Sequence, residues 1–125
     1  MIKITNFNFA HNSSVESKFL ELISEKNLKF LQDIFCEQNN ETFSLTYNFY
    51  DEQFENKFIV CLSGIVKSEE VFSLIEKFAA AVFLEREIYE LFGINFKKNN
   101  SDGLTSERMF VFSEGVQNPM LKAKV

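Results

Sequence analysis

An α+β fold is predicted for this chain, a mostly antiparallel sheet of about four strands packed with helices on one face. Three observations predict it. Residues 42–50 alternate, with Phe43, Leu45, Tyr47 and Phe49 on one side and Thr42, Ser44, Thr46 and Asn48 on the other. That is the period of a strand with one covered and one wetter face. A short polar turn, 51–56, leads into a second apolar run, 57–63, which makes an antiparallel hairpin. Apolar residues at helical spacing flank this hairpin in the chain, over 15–36 and 69–92. A mixed sheet with a parallel edge and a ferredoxin-like variant are alternative arrangements of the same elements.

The elements follow in order. Residues 2–9 alternate weakly and suit an edge strand. Ser13 or Ser14 offers an N-cap. Val15, Phe19, Leu22 and Ile23 then form an amphipathic stripe, which Asn27 interrupts. Leu28, Leu31 and Phe35 resume helical spacing as far as Cys36, and 37–41 (EQNNE) is a loop by composition. Ser68 caps a helix whose first turn carries Glu69 and Glu70, where the helix dipole favours negative charge. That helix spans 69–92, or splits into two near 79–81. Gly93 suits the left-handed position that ends it. Ile94 and Phe96 alternate as a short strand, 97–107 is a polar loop, 108–112 reads as a further strand and 113–125 as an extended tail.

At 125 residues the chain is expected to form a single domain, 1–125. Phenylalanine is its compositional exception, 16 residues with no tryptophan, which means a bulky core or a core plus an apolar surface with another purpose. A net charge of −5 and the lack of a basic cluster argue against a nucleic-acid partner. No run of apolar residues is long enough to span a bilayer, and the first residues lack a signal-peptide core, so a cytoplasmic location is expected. Cys36 and Cys61 stand apart and suit reduced, buried thiols rather than cluster or zinc ligands. His11, in a polar leader, suits a solvated or capping role.

The stretch 83–93, FLEREIYELFG, places three charges in a helix that otherwise asks for burial. Helix neighbours lie three or four residues apart. Glu85 and Glu87 have no basic residue at those spacings, whereas Arg86 has Glu90 at i+4. Glu85 shares the stripe of Phe78, Val82, Tyr89 and Phe92, and a buried, unpaired carboxylate costs several kcal/mol. Its partner therefore lies elsewhere in the fold, such as a backbone amide or a lysine with Glu87 solvated, or on another chain. A third use is as a general acid or base, although no nucleophile or metal cluster accompanies it.

The stretch FLEREIYELFGINF (83–96) resembles the signature of the 30 kDa (C) subunit family of respiratory-chain NADH dehydrogenase. Leu84, Glu85, Arg86, Glu87, Leu91, Phe92, Gly93, Ile94 and Phe96 match it, with Phe83 in place of a tryptophan and Glu90 in place of an aspartate. Upstream, NLKFLQDIFC is similar to the family's leucine-rich helix and FSLTYNFY to one of its strands. The family is shared by complex I and by energy-converting membrane-bound NiFe hydrogenases. The loop KKNNSDGLTSERMF lacks the His-Pro and paired arginines of complex I forms, and the tail keeps only Gly115, Pro119, Leu121 and Lys122 as an echo. These departures resemble the small subunit of Ech-like hydrogenases, while the Glu-Arg-Glu spelling is nearer to complex I and formate-hydrogenlyase relatives.

The resemblance implies an accessory subunit without catalytic residues and with no cofactor or metal of its own. The NiFe centre and Fe-S clusters are expected in partner subunits, namely the hydrogenase large subunit (equivalent to the complex I 49 kDa subunit) and a cluster-bearing small subunit. It implies membrane attachment only through the complex, at the cytoplasmic face of the inner membrane. Leu84, Glu85, Arg86, Glu87, Tyr89, Leu91, Phe92, Gly93, Ile94 and Phe96 are then the signature and interface candidates, with Tyr89, Phe92, Ile94 and the tail from Ser113 as contacts with the large subunit.

Overall fold

The structure, a computed structural model, describes residues 1–97 of the chain. The chain divides into two compact units, Met1–Val66 and the residues from Lys67 onward. The expected strand at 108–112 and the tail 113–125 lie outside the described residues.

The first unit contains β1 (Lys3–Ala10), α1 (Val15–Glu25), β2 (Phe30–Asn39), β3 (Thr42–Tyr50) and β4 (Asn56–Val66). Its sheet has the order β1-β4-β3-β2. Both hairpins, β2–β3 and β3–β4, are antiparallel, while β1 joins β4 in parallel, the mixed arrangement with a parallel edge. Phe43, Leu45, Tyr47 and Phe49 are all buried, as the alternation requires. Phe58, Val60 and Leu62 stand opposite Phe49, Tyr47 and Leu45 and share their face. Onto it α1 lowers Phe19, whose ring meets Tyr47 at 4.9 Å edge-on, Phe49 at 5.9 Å and Phe9 at 6.1 Å. Phe9, Phe19 and Phe49 thus join Tyr47 in an aromatic contact between one helix and one sheet face.

The ends of α1 follow local chemistry. Ser14 holds the N-cap position, but its side chain makes no cap hydrogen bond. Asn12 Oδ1 instead accepts the Ser14 N–H at 2.9 Å. Asn27, at φ +54, ends the helix as expected, and the Leu28 N–H donates to the Ile23 carbonyl across it. Asparagine tolerates this left-handed conformation better than other non-glycine residues do.

The helix expected over 28–36 is a strand. Opposite β3 the register slips between Leu31 and Asp33, with one extra residue in β2. This bulge lets Leu31 and Ile34, three apart, both point into the core. A bulged strand thus imitates the spacing of a helix. Phe35, counted in that helical stripe, is 56% exposed. β4 carries a second bulge, where two steps of β3 face three of β4 between Leu62 and Ile65. Gly64 there sits at φ +77, a conformation that costs L side chains strain.

Cys36 and Cys61 are free thiols. They oppose Leu45 and Thr46 on β3, which point to opposite faces of the sheet. Burial, with the neighbouring Glu37 carboxylate second, pushes the Cys36 thiol up to about 12.

The second unit contains β5 (Glu70–Val71), α2 (Ala81–Phe92) and β6 (Asn95–Phe96). The helix expected over 69–92 is only its last half. Val71 pairs in parallel with Phe96, and the Lys97 N–H continues the ladder by donating to the Val71 carbonyl at 2.8 Å. Turns centred on Leu74 to Phe78 then lead into α2, with the Phe78 N–H on the Leu74 carbonyl and the Ala81 N–H on the Phe78 carbonyl. Ser68 and Glu69 precede β5, to which Glu70 belongs, rather than a helix.

Candidate functional site on the Glu85 helix

Ala80 precedes α2 and has no side chain with which to cap it. The first donors are taken up by the preceding turns, with Val82 N–H on the Ala79 carbonyl at 3.2 Å. At the other end Gly93 adopts φ +79 and donates its N–H to the Tyr89 carbonyl at 2.9 Å. The glycine of the signature is therefore the left-handed stop of the helix, and it turns the chain so that Ile94 and Phe96 both enter the interior.

Between these ends the three charges part company. Glu85 is fully buried at 0% exposure. Its Oε1 accepts the Ser73 hydroxyl at 2.6 Å and its Oε2 the Leu74 N–H at 2.7 Å. The Ser73 oxygen in turn accepts the Ile75 N–H at 3.2 Å. Glu85 thus fastens the 73–75 turn to α2. Burial raises its carboxyl to about 7, and the Leu74 and Ser73 hydrogen bonds pull in the opposite direction. Arg86 is also buried and pairs with Glu90 one turn on. Its guanidinium lies 5.4 Å from the centre of the Tyr89 ring, within cation–π range. Glu87 is exposed, and so is Phe83 one turn before it, at 56%.

The structure therefore sorts the signature residues by side. Glu85, Arg86, Ile94 and Phe96 serve the interior together with Ile88. Leu84, Tyr89, Leu91, Phe92 and Gly93 are half-buried. Glu87 faces outward. Sequence reasoning missed Ser73 and Leu74, the partners of Glu85. A single helix over 69–92 places them several turns away from it, the split near 79–81 leaves their meeting open, and no spacing rule connects a strand exit to a helix across that gap.

Chemically the site is a clamp. The Glu85 carboxylate is bonded to a backbone amide and a hydroxyl of its own fold. Among the described residues no group of three or more His, Cys, Asp or Glu side chains gathers to hold a metal ion. Among the same residues no helix is long and apolar enough to cross a membrane.

The family described as "Respiratory-chain NADH dehydrogenase, 30 Kd subunit" matches residues 11–124. No curated protein matches the chain. Among solved structures, the chain is similar to a trypsin-resistant fragment (1–134) of Nqo5. That likeness has a TM-score of 0.60 and 21% identity, over 74% of this chain and 79% of the fragment. It is also similar to a chain of the membrane-bound sulfane sulfur reductase, an archaeal respiratory membrane complex. Here the TM-score is 0.75 at 16% identity, over 98% of this chain and 72% of that one. At such identities these likenesses concern the fold.

Proposed function

Because the chain belongs to the respiratory-chain NADH dehydrogenase 30 kDa subunit family, we propose that it is a non-catalytic accessory subunit of a membrane-bound, energy-converting NiFe hydrogenase. In this reading it sits in the peripheral arm at the cytoplasmic face of the membrane. It contacts the large subunit and a cluster-bearing small subunit, which hold the NiFe centre and the Fe-S clusters, and it supports electron transfer coupled to ion translocation.

The observation that carries the non-catalytic part is the Glu85 carboxylate. Both its oxygens are engaged by Ser73 and Leu74 of the same unit. A general acid or base must reach a substrate proton. This carboxylate instead holds a turn. The reading of a free-standing small enzyme built on Glu85 loses its central residue. The hydrogenase branch is supported by the sequence of 97–110, with no His-Pro and a single arginine, Arg108. The C subunit of a complex-I-type oxidoreductase is the second reading, favoured by the Glu85-Arg86-Glu87 spelling.

Affinity purification from detergent-solubilised membranes, with mass spectrometry of the recovered chains, tests the proposal. Recovery of a NiFe large subunit and a cluster-bearing small subunit is expected. Recovery of flavin- and NADH-binding subunits would move the assignment to complex I. A chain recovered alone would overturn both.

A further inference from the structure

The two edges of the four-stranded sheet are unlike. β2 carries the bulge at Gln32 and the acidic residues Asp33 and Glu37, features that discourage another strand from adding there. β1 has neither. Its eight residues run in unbroken register along β4, without proline and with Lys3 as its one charge.

The hydrogen bonds fix which backbone groups face outward. Lys3 N–H donates to the Glu55 carbonyl at one end of β1, and His11 N–H to the Ser63 carbonyl just beyond the other. Both are odd-numbered positions, and in a parallel ladder alternate residues turn their N–H and C=O to the same neighbour. The N–H and C=O groups of Ile4, Asn6, Asn8 and Ala10 therefore point away from the sheet, along an edge that no strand among the described residues pairs.

Beside that edge, between β1 and α1, runs a groove of about 300 Å³. Phe7, Phe9 and Leu22 give it an apolar floor. Lys18 and Glu21, one helical turn apart, stand on its rim, and neither has an ion-pair partner among the described residues. An open strand edge beside a helix-walled groove has the parts needed for β-strand addition. Backbone groups supply affinity, and a groove on one face reads alternate side chains.

We infer that β1 is a docking edge for an extended segment of a partner subunit. The segment adds as a fifth strand, puts an apolar side chain over Phe7, Phe9 and Leu22, and sets an acidic residue toward Lys18 and a basic one toward Glu21. The inference rests on the proposal that this chain is a subunit of a larger complex, and it locates one contact of that assembly. A second copy of this chain is the poorer occupant, since edge-to-edge pairing brings together two chains of net charge −5.

The test uses the full chain, free and in the purified complex. Deuterium exchange of residues 2–10 is followed in both, and the free chain is also measured over a range of concentrations. Protection of the outward amides in the complex by about tenfold or more is expected, with fast exchange in the free chain at every concentration. Asn6→Pro and Asn8→Pro each remove an outward N–H, together with an exposed side chain, and leave the N–H groups that face β4 in place, a substitution an edge strand tolerates. Each is expected to reduce retention in the complex by about tenfold while leaving the melting temperature of the free chain near that of the parent. If the chain assembles but β1 exchanges as it does when free, the edge is not the contact and the subunit assignment stands. Protection that rises with the concentration of free chain assigns the edge to a second copy and overturns the inference. A chain that joins no complex overturns the assignment and the inference with it. Proline variants that assemble normally also overturn the inference.

Discussion

The Glu85 carboxylate accepts the Leu74 backbone N–H at 2.7 Å, joining a turn to a helix eleven residues further along the chain. Local spacing offers Glu85 nothing of opposite charge, and the fold supplies neutral donors instead. Truncation leaves the buried Leu74 N–H and the half-buried Ser73 hydroxyl without this acceptor, beside a cavity. Glu85→Ala is therefore expected to lower stability by about 2–4 kcal/mol in urea titration. A loss under about 0.5 kcal/mol would place this clamp among surface contacts.

The same carboxyl makes stability depend on pH, and the sign follows from its direction of shift. Its folded value, raised to about 7 from 4.5, favours the protonated form in the fold. The stabilisation this gives is complete below the unfolded value and is lost as pH rises through about 7. Between pH 5 and pH 8 the parent is expected to lose about 2.5 kcal/mol that Glu85→Gln does not lose. Urea midpoints of the two proteins at both pH values read this directly, and parallel profiles would show that Glu85 does not titrate in that window.

Arg86 and Glu90 are expected to behave as a coupled pair. Removing one partner leaves a buried or half-buried charge, so Arg86→Ala is expected to cost about 2–4 kcal/mol. The double variant with Glu90→Ala should recover part of that loss. A thermodynamic cycle with a coupling near zero would contradict the pairing. In the complex, both Glu85→Ala and Arg86→Ala are expected to weaken co-purification at moderate salt. Normal recovery of both would remove these residues from any role in assembly.

Gly64 isolates backbone conformation from packing. An added Cβ would meet no atom within 4 Å, yet φ is +77. Gly64→Ala is therefore expected to cost about 1 kcal/mol through strain alone. Thermal or chemical denaturation checks it, and an unchanged midpoint would mean that the bulge relaxes without glycine.

Some elements were legible because their signals are local. The alternation through Phe43, Leu45, Tyr47 and Phe49 has a single period and one buried face, so side-chain direction follows from the strand alone. Asn27 and Gly93 were legible for a related reason. Each stands where a helical stripe stops, and each tolerates the left-handed backbone that stopping requires. The signature 84–96 was legible as a family mark, and the match over 11–124 bears that out.

Other features depend on partners distant in sequence. Leu28, Leu31 and Phe35 have helical spacing, yet the bulge at Gln32 puts Leu31 and Ile34 into the core from a strand. A bulge exists only relative to the strand opposite, so no window of one segment reveals it. Ser68 with Glu69 and Glu70 has the chemistry of a helix start, yet Val71 is claimed by Phe96 and the Leu74 amide by Glu85. The sequence by itself determined the α+β class, the hairpin of 42–50 with 57–63, the family and the need of Glu85 for a partner. Only the tertiary structure decided which partner that was, where the second helix begins and that β1 lies in parallel at one edge of the sheet among the described residues. Periodicity records which side of an element is buried, whereas hydrogen-bond partners and strand order are set by segments that meet only when the chain folds.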